Sequence, residues 1–284
     1  MKNRYYQKVK KYFDKKASAY DDVDTQLYWV LSDCFFKEIL KREIPKYFKN
    51  KKKIKILDAG AGTGRWTLFF YELFRHKYHI SGHLIDLSEK MLAVAKEKIV
   101  KKNLRDKFSL EVGNIEEMNR INDNEFDLSL SFYNVISFVE NPPKALKEIY
   151  KKLKRRGLHI SIVANKYHAY YFAILTNRLK EIKMIKKHSK VRFNDNMPYI
   201  HCFTPCELKK LYQQAGFRKV YIIGGPNFIY PGMEETFIHG NTKNIQNKLK
   251  DKDNFNKILE VEINAYRNND IVGRGNVIMA LAQK

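Results

Sequence analysis

ILDAGAGTG, residues 56–64, places three glycines and one acid within nine positions. The apolar run that leads into it, KIKILDA at 53–59, reads as a buried strand. GRWTLFFYELFRH at 64–76 has its apolar residues at helical spacing. A glycine-rich turn between strand and helix lets the backbone approach a ligand closely, and the helix start adds unpaired N–H groups and the positive end of a dipole. A dinucleotide site would want G-x-G-x-x-G. Here the turn is Asp58-x-Gly60-x-Gly62-x-Gly64, with an acid at the strand end. Such an acid disfavours a pyrophosphate and suits a nucleoside-bearing cofactor that carries positive charge.

The same alternation continues outward. HISGHLIDL (79–87) reads as a second strand, and Ser88 caps a helix in EKMLAVAKEKIVKKN (89–103). FSLEVGN (108–114) and FDLSLSF (126–132) are strands, PPKALKEIYKKLKR (142–155) a helix, and GLHISIVA (157–164) a fifth strand. Strand and helix in turn predict a parallel sheet covered on both faces. Upstream, 4–19 and 24–43 read as helices, the second capped by Asp24 or Thr25. Downstream, 166–186 reads as an aromatic-rich helix and 187–203 as irregular chain. TPCELKKLYQQAGF (204–217) reads as a helix with Thr204 and Glu207 forming a capping box and Gly216 ending it. RKVYIIGG (218–225) and NVIMALA (276–282) supply the last strands, with a helix near 251–267 between them.

Of the 284 residues, 44% are hydrophobic and 30% charged, which suits a folded chain with a full core. No apolar stretch approaches the roughly 20 residues that span a bilayer, and MKNRYYQKVKKYFDKK has no apolar segment behind its charges. A cytoplasmic protein with no membrane partner is therefore expected. Cys34, Cys202 and Cys206 are too few for a disulfide framework or a four-ligand zinc site, and no metal is expected. Lysine and arginine outnumber acids by 54 to 31, a formal charge of +23. The excess is spread along the whole chain at helical spacing, as on solvated helix faces, and the Asn and Ile richness points to a compositional bias. Nucleic acid stays open as an alternative partner.

On these residues the chain resembles the class I S-adenosylmethionine-dependent methyltransferases over nearly its whole length. ILDAGAGTGR is similar to that family's first motif. The resemblance implies a three-layer Rossmann-like α/β sandwich, with a seven-stranded mostly parallel sheet whose last strand is antiparallel. It also implies one domain over 1–284, with a helical cap in 1–50, a cofactor-binding core in 51–164, and substrate-cap insertions at 165–203 and 226–272. Asp58, Ala59, Gly60, Gly62, Gly64 and Arg65 would form the cofactor turn. Asp86 falls where the family places the acid that chelates both ribose hydroxyls, a task suited to a carboxylate. Leu87 and Met91 follow it. Asn114 and Ile115 occupy the adenine-facing position, with Asn114 standing where an acid is usual. Ser131, Phe132 and Asn134 follow the fourth strand beside the methionine end. In KKYFDKKASAYDD (10–22), Tyr20 is expected to fold over the cofactor and Tyr12 to help, while Trp29 and Trp66 anchor core or lid.

Two other motifs are discounted. Asn141-Pro142-Pro143 is similar to the signature of enzymes that methylate exocyclic base nitrogens, but it comes too late after the fourth strand and reads as an N-cap with first-turn prolines. Pro205-Cys206 is similar to the nucleophilic dipeptide of cytosine C5 methyltransferases, yet it sits in the capping box of a late helix.

A methyl activated by a sulfonium needs chiefly a nucleophile held close in a desolvated pocket, with a general base only for protonated acceptors. Tyr133, His168 and His201 are the expected groups near the methyl. Tyr167, Tyr170, Tyr171, Phe172, Tyr199, Phe228 and Tyr230 favour an enclosed, partly apolar cavity. The expectation is methyl transfer to oxygen or nitrogen of a small molecule, by a monomer or homodimer. RNA methylation is the alternative that the charge invites, and a noncatalytic cofactor-binding protein is the second.

Overall fold

Lys53–Ala59 forms β1, the strand on which the rest is built. In the computed structural model, which describes residues 4–229 and 247–284, β1 lies inside a seven-stranded sheet. It pairs in parallel with β2 (His79–Asp86) on one side and β4 (Phe126–Ser131) on the other. β3 (Phe108–Val112) extends the sheet beyond β2, and β5 (Leu153–Ala164) beyond β4. The far edge holds β9 (Val277–Gln283), antiparallel to β5, and then β8 (Lys219–Gly225), antiparallel to β9. The order is therefore β3-β2-β1-β4-β5-β9-β8. A two-residue ribbon, β6 (Lys190–Val191) with β7 (Ile200–His201), stands apart, in the stretch whose sequence reads as irregular.

The period of two in the strands assigns their residues to opposite cores. Ile54 and Ile56 join Val277, Met279 and Leu281 in the first, whereas Leu57 and Ala59 join Ile278, Ala280 and Ala282 in the second. The first core is closed by α2 (Leu27–Tyr47), α3 (Arg65–Phe74), α4 (Glu89–Lys101) and α10 (Lys252–Ala265). The second is closed by α6 (Pro142–Lys152) and α9 (Pro205–Gln214). A third, smaller core lies beyond the carboxyl ends of the strands. It joins α1 (Arg4–Asp14), the four-residue α5 (Val135–Phe138), α7 (Lys166–Leu175), α8 (Leu179–His188) and the ribbon.

Local chemistry explains the boundaries. Ser88 accepts from Met91 N at 3.1 Å, Asn141 from Lys144 N at 3.0 Å, and the Thr204–Glu207 box is complete. Three expectations are corrected. The first helix stops at Asp14 and continues as a 3-10 segment, Ala17–Thr25. Neither Asp24 nor Thr25 caps α2: its N-cap is Gln26, Asp24 pairs with Arg65, and Thr25 Oγ1 donates to the Asp22 carbonyl. The helix expected over 166–186 is two helices, because the chain turns left-handed at Asn177. Of the insertion expected at 226–272, residues 230–246, including Tyr230, lie outside the described residues.

Candidate active site

Chain order reverses between β1 and β4, and in an open parallel sheet that reversal leaves a crevice at the carboxyl ends of the strands. A cavity of about 860 Å³ opens there. That is near the upper end for a small-molecule site, enough for a cofactor and a second molecule together.

The β1–α3 turn forms its floor. Gly60, Gly62 and Gly64 all have positive φ, at 87°, 54° and 68°. A Cβ on Gly60 would strike Val135 at 2.3 Å, so the turn can close only without a side chain. Among the described residues, a Cβ on Gly62 would meet nothing within 4 Å: here the bare backbone faces open space, as a cradle for a ligand requires. Gly64 begins α3 without a side-chain cap and packs toward Ala95 and Leu84, outside the cavity lining.

Two acids stand beside this turn. Asp86 accepts from Gly62 N and Ser88 N, each at 2.8 Å and each on a different carboxylate oxygen. Both oxygens keep further lone pairs, and burial raises its pKa. Asp58 is buried, accepts from Thr67 Oγ1 at 2.5 Å, and is raised by burial to about 7.

The opposite wall comes from the chain after β4. Phe132 stacks on Trp66 with ring centroids 4.4 Å apart. Tyr133 and Asn134 follow with φ of 53° and 70°, a left-handed pair that an aromatic residue enters only when its surroundings hold it there. The Tyr133 phenol donates to Asp33 Oδ1 at 2.5 Å. Asp33, on α2 and buried, is also paired with the buried guanidinium of Arg65, which reaches Asp24 as well. Burial, then Asp33, raises the phenol pKa well above its usual value, so Tyr133 is a neutral donor toward Asp33. Asn134 Oδ1 is buried at the same wall and, among the described residues, has no hydrogen-bond partner.

The amino-terminal segment roofs the cavity through Tyr6, Val9, Tyr12, Phe13 and Tyr20, and acids fasten it down. Ser88 Oγ donates to Asp14 at 2.5 Å, Thr63 Oγ1 to Asp21 at 2.8 Å, and Lys98 Nζ to Asp21 at 2.6 Å, while Asp24 takes Arg65. Tyr6 donates to Glu116, next to Ile115. The far end is largely apolar, with Phe138, Phe172, Phe193 and Met197 near a polar pair: Asn276 Nδ2 donates to His168 Nε2 at 3.0 Å. Burial lowers the His168 pKa to about 4, so its ring is neutral near pH 7.

Of the residues singled out from sequence, Tyr20, Asp58, Gly60, Gly62, Arg65, Asp86, Leu87, Met91, Asn114, Ile115, Phe132, Tyr133 and His168 line the one cavity. Ala59, Gly64, Ser131 and His201 do not. Ala59 is buried in the second core, and its carbonyl accepts from Ser131 Oγ at 2.9 Å. His201 points its Nε2 at the Glu140 carbonyl, 3.3 Å away, and burial lowers its pKa to about 4. Sequence reasoning missed Asp33 and the three fastening acids, Asp14, Asp21 and Asp24. Asp33 had a visible signal, an acid inside the otherwise apolar run VLSDCFF.

Residues 50–217 match the model of a family described as methyltransferase domain. Among curated relatives, a demethylmenaquinone methyltransferase of Listeria monocytogenes is 31% identical over 53% of this chain and 60% of its own length. The ubiquinone/menaquinone biosynthesis C-methyltransferase UbiE of Agrobacterium fabrum is 31% identical over 52% of this chain and 55% of its own. The chain thus spans little more than half the length of the curated relatives it matches. A solved S-adenosylmethionine-dependent methyltransferase of Thermotoga maritima superposes with a TM-score of 0.55 at 16% identity, covering 97% of this chain and 99% of that one. The chain belongs to the methyltransferase-domain family, and its fold is that of the class I S-adenosylmethionine-dependent methyltransferases.

Proposed function

We propose that this protein transfers a methyl group from S-adenosylmethionine to a small molecule enclosed in the cavity, working in the cytoplasm as a monomer or homodimer. The observation that carries the reading is continuity: one cavity joins the open face of Gly62 and the Asp86 carboxylate to an apolar end walled by Phe138, Phe172 and Phe193. An open basic trough at that end would favour RNA. The aromatic wall favours a compact acceptor with an apolar body.

The residues fit the donor. The remaining lone pairs of Asp86 would take the two ribose hydroxyls, and the Gly60–Gly62 backbone would lie along the amino-acid tail. Asn134 Oδ1, buried without a partner among the described residues, would accept from the tail's ammonium group. Leu87, Met91 and Ile115 would flank the adenine, with Asn114 at its edge, and Tyr20 would close over it. Gly64, Ala59 and Ser131 would act indirectly by shaping this turn. The bound donor supplies a methyl already activated by the sulfonium, so the chain's own task is to orient an acceptor and exclude water.

Tyr133 and His168 are the groups proposed to do so. Where the acceptor carries a proton, Tyr133 Oη would take it while passing its own to Asp33, with Arg65 as fixed counter-charge. His168, neutral and held by Asn276, would hydrogen-bond a polar substituent. His201 would support the roof from outside. The names of the relatives refer to quinone precursors and to carbon methylation, which adds carbon to the oxygen and nitrogen acceptors expected from sequence.

The test is incubation with a donor carrying a deuterated methyl and a fractionated cell extract. Label in the small-molecule fraction is expected. Label in RNA or protein instead, or tight donor binding with no label transferred to any fraction, would overturn the reading.

A further inference from the structure

We propose that the α7–α8 hairpin is a docking surface for an anionic lipid bilayer. α7 reads KYHAYYFAIL, apolar or aromatic at every position past its first turn, a composition that belongs to a helix covered on every side. Its inward residues are covered. Ala169 and Ala173 are buried in the third core, and His168 and Phe172 line the cavity. Its outward residues Tyr167, Ile174 and Leu175 are exposed; they recur at the spacing of one helix face and run from 47% exposed at Leu175 to 61% at Ile174. Leu179, the first residue of α8, prolongs the stripe at 58%. A run of large apolar side chains in water marks an interaction site.

Charge identifies the occupant. α8 exposes Lys180, Lys183, Lys186 and Lys187, and among the described residues none of the four is in a salt bridge. An apolar stripe that includes Tyr167, beside a cluster of exposed lysines, matches both layers of an anionic membrane surface, acyl chains below and phosphates above. A nucleic acid would leave the stripe in water, and an apolar protein face would leave the lysines unmatched. The contact is peripheral: among the described residues no helix is long and apolar enough to cross a membrane. It departs from the sequence expectation of no membrane partner. Because the inner face of α7 lines the acceptor end of the cavity, docking would bring that end to the bilayer, where apolar acceptors dissolve. This consequence, unlike the docking itself, rests on the small-molecule reading.

The test is co-sedimentation of the full chain with vesicles of phosphatidylcholine alone and of phosphatidylcholine mixed with phosphatidylglycerol, without donor or acceptor, so that the outcome is independent of methyl transfer. Binding to the mixed vesicles is expected, with affinity at least about tenfold above that for phosphatidylcholine alone. Ile174→Glu with Leu175→Glu should cost about tenfold or more, and Lys183→Glu with Lys187→Glu should do the same with the apolar stripe intact. Circular dichroism checks that each variant is folded; all four positions are exposed, and either pair suffices. Failure to bind mixed vesicles, equal binding to both vesicle types, or binding that neither pair weakens would overturn the proposal. So would a dimer in sedimentation velocity that the Ile174/Leu175 pair dissociates, because a second copy would then be what covers the stripe.

Discussion

The hydroxyl of Tyr133, just past β4, donates to the carboxylate of Asp33, in the middle of α2, at 2.5 Å. Arg65, at the start of α3, pairs with the same carboxylate. Three elements thus meet in one buried polar cluster at the cavity wall. Removing the guanidinium strands Asp33 as an unpaired buried charge, so Arg65→Ala is expected to cost about 3–5 kcal/mol of stability, read as a lower urea midpoint. Tyr133→Phe leaves the Arg65–Asp33 pair and should cost only about 1 kcal/mol. If the phenol handles the acceptor's proton, this variant should lower turnover by about 100-fold or more with donor affinity nearly unchanged. A loss confined to donor affinity would move Tyr133 from the acceptor to the cofactor.

Asp86 gives the sharpest check on the donor. Both of its oxygens have spare lone pairs after the bonds from Gly62 and Ser88. Hydrogen bonds to a charged partner are worth about 1.5–3 kcal/mol each, so losing two should weaken binding of the donor or its demethylated product to Asp86→Ala by at least about 100-fold in calorimetry. Unchanged affinity would remove S-adenosylmethionine from the site.

Asp58 predicts two pH effects. Its native pKa, about 7, lies above the ordinary carboxylate value of 3.8, so between these values the folded chain binds more protons than the unfolded one. The stability from this group is therefore full below about pH 4 and declines as pH rises to 7, by roughly 4 kcal/mol at most. Asp58→Asn should remove that decline from thermal unfolding curves. A positively charged guest lowers the pKa of Asp58, so near pH 7 donor binding should release a proton. Calorimetric heats should then vary with the ionisation enthalpy of the buffer in the wild type and not in Asp58→Asn. Buffer-independent heats in the wild type would separate Asp58 from the ligand.

The two glycines of the turn should fail differently. Gly60→Ala drives a Cβ into Val135 and is expected to lower stability by about 2 kcal/mol or more. Gly62→Ala meets open space and pays only for its left-handed backbone, about 1–2 kcal/mol. Its methyl would occupy the cradle, so its loss of donor affinity should be the larger effect. Equal losses of affinity and stability in both variants would mean the turn is structural only.

Much of the core was legible because its signals are local. The strand at 53–59 is a short, mostly apolar run stopped by glycines, and successive β9 residues alternate between the two cores. Ser88, Asn141 and Thr204 announce their helices by side-chain type. Illegible were features that depend on distant partners. Asp24 looks like a cap in sequence, yet a buried arginine 41 residues away takes its carboxylate. Asp33 gains a role only once Arg65 and Tyr133 are folded against it, and a histidine such as His201 carries no local mark of whether it meets a cavity or a carbonyl. The break in the helix after 175 rests on one left-handed asparagine, which helical periodicity does not detect.

Asp14, Asp21 and Asp24 hold residues 4–25 by hydrogen bonds from Ser88, Thr63 and Arg65. These anchoring groups belong to the loops that a nucleoside would press against, so occupancy beneath and order above are coupled in one equilibrium. A guest that shifts either loop retunes the strap, and a loosened strap weakens the guest by the same free energy. Amide exchange in residues 4–25 should therefore slow when the donor binds.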